Sequence, residues 1–295
     1  MTDPLAAPIR WPAEAIWEAV SPALPGFTVE VLPSVDSTNS ELMRRLRGHG
    51  DVPAQPEPVL LVAETQTAGR GRLGRVWQSR RGDSLTFSLS LPLQPADWSG
   101  LSLAVGISVA DSLDTRPVPQ TGGQPRIQLK WPNDLWLSGP DGDCKLGGIL
   151  VETAGGAAQR HVVIGIGINI RPSGALPAAD PNAVAASVSP GALQSIWPDA
   201  SAADALLRIA APLVQALQVF EQSGFAPFQA RFAARDALSG REVQLSDGLH
   251  GTARGVAGNG ALLVHTAAGM KQITSSEVSV RPVAARAAPR EGDAC

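Results

Sequence analysis

The chain has 295 residues, 44% of them hydrophobic, and a formal net charge of -3; this suits one large folded domain plus a small appendage and argues against disorder. The acidic balance counts against a surface given over to nucleic acid, and Cys144 and Cys295 make neither a disulfide framework nor a metal-ligand spacing, which suits a reducing compartment. No basic segment leads into an apolar run at the start and no stretch approaches about 18 uninterrupted apolar residues, so a cytoplasmic protein without a membrane span is expected; the lack of tyrosine leaves catalysis to other groups.

In chain order, residues 11–20 have the spacing of a short amphipathic helix, and residues 28–32 alternate like a strand before the turn-prone Pro33-Ser34-Val35-Asp36. A helix follows at 40–46. Apolar runs at 59–63, 85–93, 127–131, 135–137, 146–151 and 162–170 have strand composition and are mostly bounded by Gly, Pro or Asp. Spacers at 138–143 and 154–157 are turn chemistry, so this part is expected to form antiparallel hairpins in an α+β fold. Helices are predicted at 100–113 and at 202–222. Ser201 is the N-cap of the second, with Asp204 at its third position and Gly224 as its stop. Phe225, Phe228 and Phe232 mark a further short helical face, and residues 171–198 look like a long loop able to close over a ligand. After Gly240 come short strands with Gly-rich turns, including Asn259-Gly260. The expected layout is a catalytic domain at 1–239, a small β-barrel at 240–283 and a frayed tail at 284–295.

Gly69-Arg70-Gly71-Arg72-Leu73-Gly74-Arg75 is the most informative segment. Glycines let backbone amides approach an anion, and arginines add fixed charge and forked donors. The glycines satisfy a dinucleotide-binding spacing, but no amphipathic helix follows, and Arg75-Val76 stands where a P-loop needs Lys then Ser or Thr. A solvated, RNA-touching loop is the plainer alternative.

Other segments add weight. Lys130-Trp131-Pro132-Asn133-Asp134 gathers a cation, a ring and two polar groups at a strand end, although a structural Asx turn has the same look. Lys145-Leu146-Gly147-Gly148 opens a strand with a charge and thins it with glycines, as does Gly165-Ile166-Gly167-Ile168-Asn169. Glycines weaken a strand unless something approaches its backbone closely. Ser37-Thr38-Asn39, alone, is a helix cap.

Taken in order, Asp36-Ser37-Thr38-Asn39, residues 63–68 leading into the glycine-arginine loop, 130–134, 145–150 and 165–169 closely resemble the biotin protein ligases, most strongly over 35–170. The resemblance implies a catalytic domain of the class II aminoacyl-tRNA synthetase type. That domain is a mixed, largely antiparallel sheet flanked by helices, followed by a small SH3-like β-barrel. It also implies that biotin and ATP are joined as biotinyl-5′-AMP, with Mg2+ bound mainly through ATP, and that the biotinyl group passes to a lysine of the biotin carboxyl carrier protein of acetyl-CoA carboxylase or a related carboxylase. Carried over residue by residue, Ser37, Thr38, Asn39 and Gln66 look like biotin contacts, joined by Ser90, Lys145, Gly147, Gly148 and the loop residues Arg70, Gly71 and Arg72. Gly69, Arg70, Arg72, Arg75, Trp77, Lys130, Asn133, Lys145 and Asn169 look like the ATP and adenylate side. Lys145, Arg72 and Asp134 would be catalytic, and no protein metal site is implied. Family members that repress transcription carry a winged helix-turn-helix of about 60 residues, which the 36 residues before Ser37 do not hold, so no specific DNA binding is expected. The sequence leaves the oligomeric state, a homodimer included, open. A lipoate ligase shares the adenylation logic and is the nearest rival; a nucleic-acid-binding module is the rival of another class.

Overall fold

Seven strands form one sheet in a computed structural model that describes residues 9–48, 57–114, 126–139, 142–155, 160–172, 188–274 and 280–282. They are β1 (Thr28–Leu32), β2 (Val59–Ala63), β3 (Ser84–Pro92), β4 (Ile127–Lys130), β5 (Asp134–Gly139), β6 (Gly142–Gly155) and β7 (Arg160–Asn169). Their spatial order is β1-β2-β3-β7-β6-β5-β4. The β1–β2 pair is parallel and every other pair is antiparallel, so the sheet is mixed and built of hairpins on its far side, as the turn chemistry predicts. The expected tail and residues 173–187 of the expected loop lie outside the described residues.

The alternation in β3 sets the layers. Leu85, Phe87, Leu89 and Leu91 point into the main core, under α1 (Ala13–Val20), α3 (Leu101–Leu113) and α4 (Ala202–Ser223). Each such side chain, fully buried, contributes roughly 1.5–3 kcal/mol. The intervening Ser84, Thr86, Ser88 and Ser90 do not face water, although alternation usually means that; they are buried on the opposite face. There α2 (Thr38–Arg47) lays Leu42 and Met43 on Val59, Leu61 and Val163. The two faces thus divide labour: one is apolar and holds the fold together, the other is hydroxyl-rich and partly left for chemistry.

Local signals fix the helices. Ser37 caps α2 by accepting from the Ser40 amide, and Asp36, just ahead of the cap, is gripped by both Arg44 guanidinium nitrogens at 2.7 and 2.9 Å. That grip holds the Asp36 carboxyl at a pKa of about 2. Ser201 caps α4 by accepting from the Asp204 amide at 3.1 Å, and Gly224, at φ 63°, ends it. By length and composition α4 is apolar enough to cross a membrane, but it buries Leu206, Ile209, Leu213, Leu217 and Phe220 against the core and α3. Helix α5 (Gln229–Ala233) follows, with Phe225, Phe228 and Phe232 clustered as expected.

Beyond α5 a second sheet forms from β8 (Glu242–Leu245), β9 (His250–Val256), β10 (Leu262–Thr266), β11 (Gly269–Ile273) and β12 (Val280–Pro282), in the order β11-β10-β9-β8-β12 and antiparallel throughout. It docks on the first through a close glycine contact. A Cβ on Gly260, which sits at φ 80°, would lie 2.7 Å from the Gly100 Cα. The same approach lets the Trp131 indole donate to the Gly260 carbonyl at 3.1 Å. Arg241 also pairs with Asp143 across the joint. Within the connector, Asp236 bridges to β4, and its Oδ1 accepts the Leu238 amide while Oδ2 is buried without a partner. Burial pushes the Asp236 pKa up to about 6.

Candidate active site

The hydroxyl-rich face opens into a cleft over β3, β6 and β7, where Thr86, Gly148 and Gly167 line it. Its floor is anchored by the turn between β4 and β5. That turn contains a cis Trp131-Pro132 peptide bond. The Pro132 carbonyl accepts from Ser102 of α3, the Asn133 amide group donates to the Ile149 carbonyl at 2.8 Å, and the Asn133 carbonyl accepts the Ile149 amide at 3.0 Å. So tied, the turn presents Asp134 between two ammonium groups: Lys145 Nζ at 2.6 Å and Lys130 Nζ at 3.5 Å.

The charges do not balance. Lys130 is 8% exposed. Burial pulls its amine below the ordinary lysine value; Asp134 opposes this, and Lys145 and Arg75 add to it. Burial likewise pulls down the Arg72 guanidinium, with Asp134 opposing and Arg75 adding. One buried and several partly buried or exposed cations around one carboxylate make an anion site: a carboxylate or phosphate entering it relieves their mutual repulsion.

The glycine-arginine loop forms the cleft's rim as a narrow hairpin. Gly69 and Trp77 are joined by a backbone hydrogen bond of 2.8 Å, Gly71 donates to the Arg75 carbonyl at 2.7 Å, and Leu73 at the tip has φ 55°. Leu73 and Val76 are exposed. Arg72 reaches Asn133 Oδ1 at 3.3 Å, and Arg70 reaches Glu152 of β6 at 3.1 Å. The Trp77 ring lies over β7, where a Cβ on Gly167 would stand 2.5 Å from it, and the indole nitrogen is buried without a partner. The glycines of β7 therefore make room, as strand-thinning glycines should.

Beside the cations lies a buried polar pocket. Gln66 Oε1 accepts the Thr38 amide at 2.8 Å and stands 3.1 Å from the Thr38 hydroxyl. Ser88 Oγ lies 2.7 Å from that hydroxyl and 2.6 Å from Asn39 Oδ1. Asn39 approaches β7 so closely that a Cβ on Gly165 would fall 2.1 Å from its Oδ1. A ligand here meets hydroxyls and amides on one side and Phe87, Ile149 and Ile166 on the other.

Most residues singled out from the sequence converge on this cleft. Ser37, Thr38, Asn39 and Gln66 line it, as do Arg70, Gly71, Arg72, Arg75 and Trp77 of the rim and Lys130, Asn133, Asp134, Lys145 and Gly148 of the floor. Four others stand behind the lining. Ser90 is buried beside β2, one turn of the pleat beyond Ser88, which is the hydroxyl that meets Thr38 and Asn39. Gly69 and Gly147 serve close packing: a Cβ would lie 2.3 Å from the Trp77 carbonyl and 2.5 Å from the Gly167 carbonyl. Asn169 donates its amide to the carbonyls of Lys145 and Gly191 at 3.2 and 3.0 Å, clamping the start of β6. Sequence reasoning misses Ser88 and Glu152. Ser88 shares its alternation with Ser90, and Glu152 has the look of a solvated strand end; only the register of β3, β6 and β7 separates them from bystanders.

The sequence model of the Biotin/lipoate A/B protein ligase family matches residues 31–169, and that of the Biotin protein ligase C terminal domain matches residues 238–281. The chain is 36% identical over 271 residues to the bifunctional ligase/repressor BirA of Escherichia coli, covering 88% of this chain and 75% of that one. It is 30% identical over 257 residues to the biotin–acetyl-CoA-carboxylase ligase of Paracoccus denitrificans, covering 84% and 98%. The structure of the biotin protein ligase from Aquifex aeolicus in complex with biotin and ATP superposes with a TM-score of 0.65 at 28% identity, covering 86% of this chain and 99% of that one. These matches span both sheets and the cleft between the cations and the polar pocket, and the chain belongs to the biotin protein ligases.

Proposed function

We propose that this chain joins biotin to ATP as biotinyl-5′-AMP and then transfers the biotinyl group to a lysine of a biotin carrier protein, the biotin carboxyl carrier protein of acetyl-CoA carboxylase or a relative. The observation that carries the reading is the meeting, in one cleft, of a hydroxyl and amide pocket with a cluster of cations of which Lys130 is buried. The pocket suits a ureido ring, which both donates and accepts hydrogen bonds; the apolar residues suit an aliphatic tail.

In the first step a carboxylate oxygen of biotin attacks the α-phosphorus of ATP, and pyrophosphate leaves. Two anions must meet in line, so the site's task is positioning and preorganised positive charge more than proton transfer. Lys145 stands where it can hold the carboxylate, with Asp134 orienting it at 2.6 Å. Arg72, Lys130 and Arg75, which line the same cleft, supply positive charge for the phosphates. In the second step the neutral acceptor amine attacks the carbonyl carbon of the mixed anhydride, the new amide forms and AMP leaves. Asp134, the carboxylate in the cleft lining, orients that amine once an anion has drawn the lysines away.

Among the described residues no group of three or more His, Cys, Asp or Glu side chains is arranged for a metal. Beside the cations, Asp134 and Asn133 offer side-chain oxygens, a set that fits Mg2+ arriving with ATP and keeping most of its waters. When bound, Mg2+ neutralises charge on the leaving pyrophosphate.

The test is to supply the purified chain with ATP, Mg2+ and either biotin or lipoate, and to follow pyrophosphate release and label transfer to a carrier domain. Biotin-dependent pyrophosphate release followed by amide-linked biotin on the carrier supports the reading. Turnover with lipoate alone, or with neither acid, overturns it.

A further inference from the structure

Glu152 lies outside the lining of the cleft, yet the side-chain relay of Thr38, Ser88 and Asn39 ends on it. Its Oε2 accepts from the Asn39 amide at 3.0 Å, and both its oxygens accept from Arg70, at 3.1 and 3.3 Å. A carboxylate paired with a guanidinium only accepts. The second Asn39 amide hydrogen goes to the Leu150 carbonyl at 3.2 Å. The orientation of the Asn39 side chain is thereby fixed, nitrogen toward β6 and oxygen toward Ser88.

From there the protons can be counted. Ser88 Oγ has one hydrogen and contacts Asn39 Oδ1, which cannot donate, at 2.6 Å. The Ser88 hydrogen therefore goes to Asn39, and Ser88 must accept from Thr38 at 2.7 Å. The Thr38 hydrogen is then spent, and the longer 3.1 Å approach of Thr38 Oγ1 to Gln66 Oε1 sets two acceptors side by side. Two acceptors without a proton between them, Thr38 buried and Gln66 partly so, form a receptor for an N–H donor. If Asn39 were turned over, its nitrogen would face Ser88, the relay would reverse, and Thr38 would offer its hydrogen to Gln66 in place of a vacancy.

We propose that Glu152 is a positioning residue that sets the hydrogen-bond polarity of the relay Asn39, Ser88, Thr38, and so makes Thr38 and Gln66 a receptor for a ring N–H of the substrate acid. The inference rests on the reading of the pocket as the site of a ureido ring. Glu152 itself touches neither substrate; it acts through Asn39, and through Arg70 it ties the rim of the cleft to the same carboxylate. Gly165 is part of the arrangement, because only its missing Cβ lets Asn39 Oδ1 reach Ser88.

The experiment compares the wild type with Glu152→Gln and Glu152→Asp. The readouts are biotin affinity by titration calorimetry, and KM for each substrate and kcat by pyrophosphate release. Glu152→Gln keeps the shape but can donate, which allows Asn39 to turn over. Its biotin affinity should fall roughly ten- to hundredfold, the size of one or two misdirected hydrogen bonds. Its KM for ATP, and its kcat at saturating biotin, should stay within about threefold of wild type. Glu152→Asp, which keeps the acceptor, should lose less. Unchanged biotin affinity in Glu152→Gln, or a fall in kcat and ATP use as large as that in biotin affinity, would each overturn the proposal. Should Glu152→Gln fail to fold, Glu152→Asp decides on the same readouts: a selective loss of biotin affinity smaller than tenfold supports it, and a loss of kcat overturns it. A wild type that binds biotin and releases pyrophosphate keeps the functional reading apart from these outcomes; one that does neither removes that reading first.

Discussion

Lys145 meets Asp134 at the mouth of a strand, with a third of its side chain exposed, so it lends little to the core and much to the field in the cleft. Lys145→Ala is expected to slow biotin-dependent pyrophosphate release by roughly 100- to 1,000-fold, the usual cost of removing one preorganised donor. Its melting temperature should stay close to wild type; normal pyrophosphate release from a folded variant would remove Lys145 from its assigned role. At this scale the sequence was legible wherever a side chain's chemistry was unusual for its place. A lysine opening an apolar strand, arginines between glycines and an Asn-Asp pair after a proline all reached the cleft. It was illegible where ordinary residues did the job. Ser88 and Ser90 occupy equivalent positions in the same alternation, and nothing local tells which one meets Thr38 across α2. Asn169 was expected on the nucleotide side; its amide instead holds the Lys145 and Gly191 carbonyls, a contact between segments 20 or more residues apart.

The strands were legible as elements because their apolar runs end at turn residues, and the order of hairpins followed from spacers too short for crossovers. What the pattern could not show is which face of β3 would be dry, since hydroxyls usually mark the wet side. The rim hairpin carries the element-scale prediction. Arg72 lines the cleft and reaches Asn133 at 3.3 Å, so its main partner in turnover should be the adenylate. Each charge-assisted hydrogen bond it makes there is worth about 1.5–3 kcal/mol, and losing one should speed escape of the intermediate by roughly one to two orders of magnitude. Arg72→Gly is therefore expected to make adenylate yet release it, so that an unrelated lysine-rich protein added to the reaction becomes biotinylated. A variant that still forms adenylate but labels this bystander no more than wild type does would show that the loop is not a lid.

At the scale of the molecule, the two sheets meet through the Gly100–Gly260 contact and the connector that contains Asp236. Because burial raises the folded pKa of Asp236 to about 6 from the ordinary 3.8, the folded state favours its protonated form. The stabilisation from that protonation is fully present below pH 3.8 and is lost as pH rises through about 6. Asp236→Asn, which cannot ionise, should therefore stabilise the chain at pH 8, by at most about 3 kcal/mol. The gain should shrink toward zero near pH 4. Urea denaturation midpoints at the two pH values check this, and an equal effect at both would mean that Asp236 is not the group responsible. The connector's role was hidden from the sequence because Asp236 has the composition of an ordinary turn.

Of the chain's 24 basic residues only three are lysines. Two of them, Lys130 and Lys145, are bound to Asp134 inside the cleft, while Lys271 stands exposed on β11, at the end of the strand order in the second sheet. Positive charge elsewhere is carried by guanidinium groups, which do not form amides under the conditions in which an amine does. Outside its cleft, an enzyme that makes an activated acyl donor thus shows that donor a single lysine amine, that of Lys271. The same economy makes Lys271 the natural handle for tethering: coupling through succinimidyl esters with biotin and ATP filling the cleft would fix the molecule by its second sheet and leave the cleft facing outward.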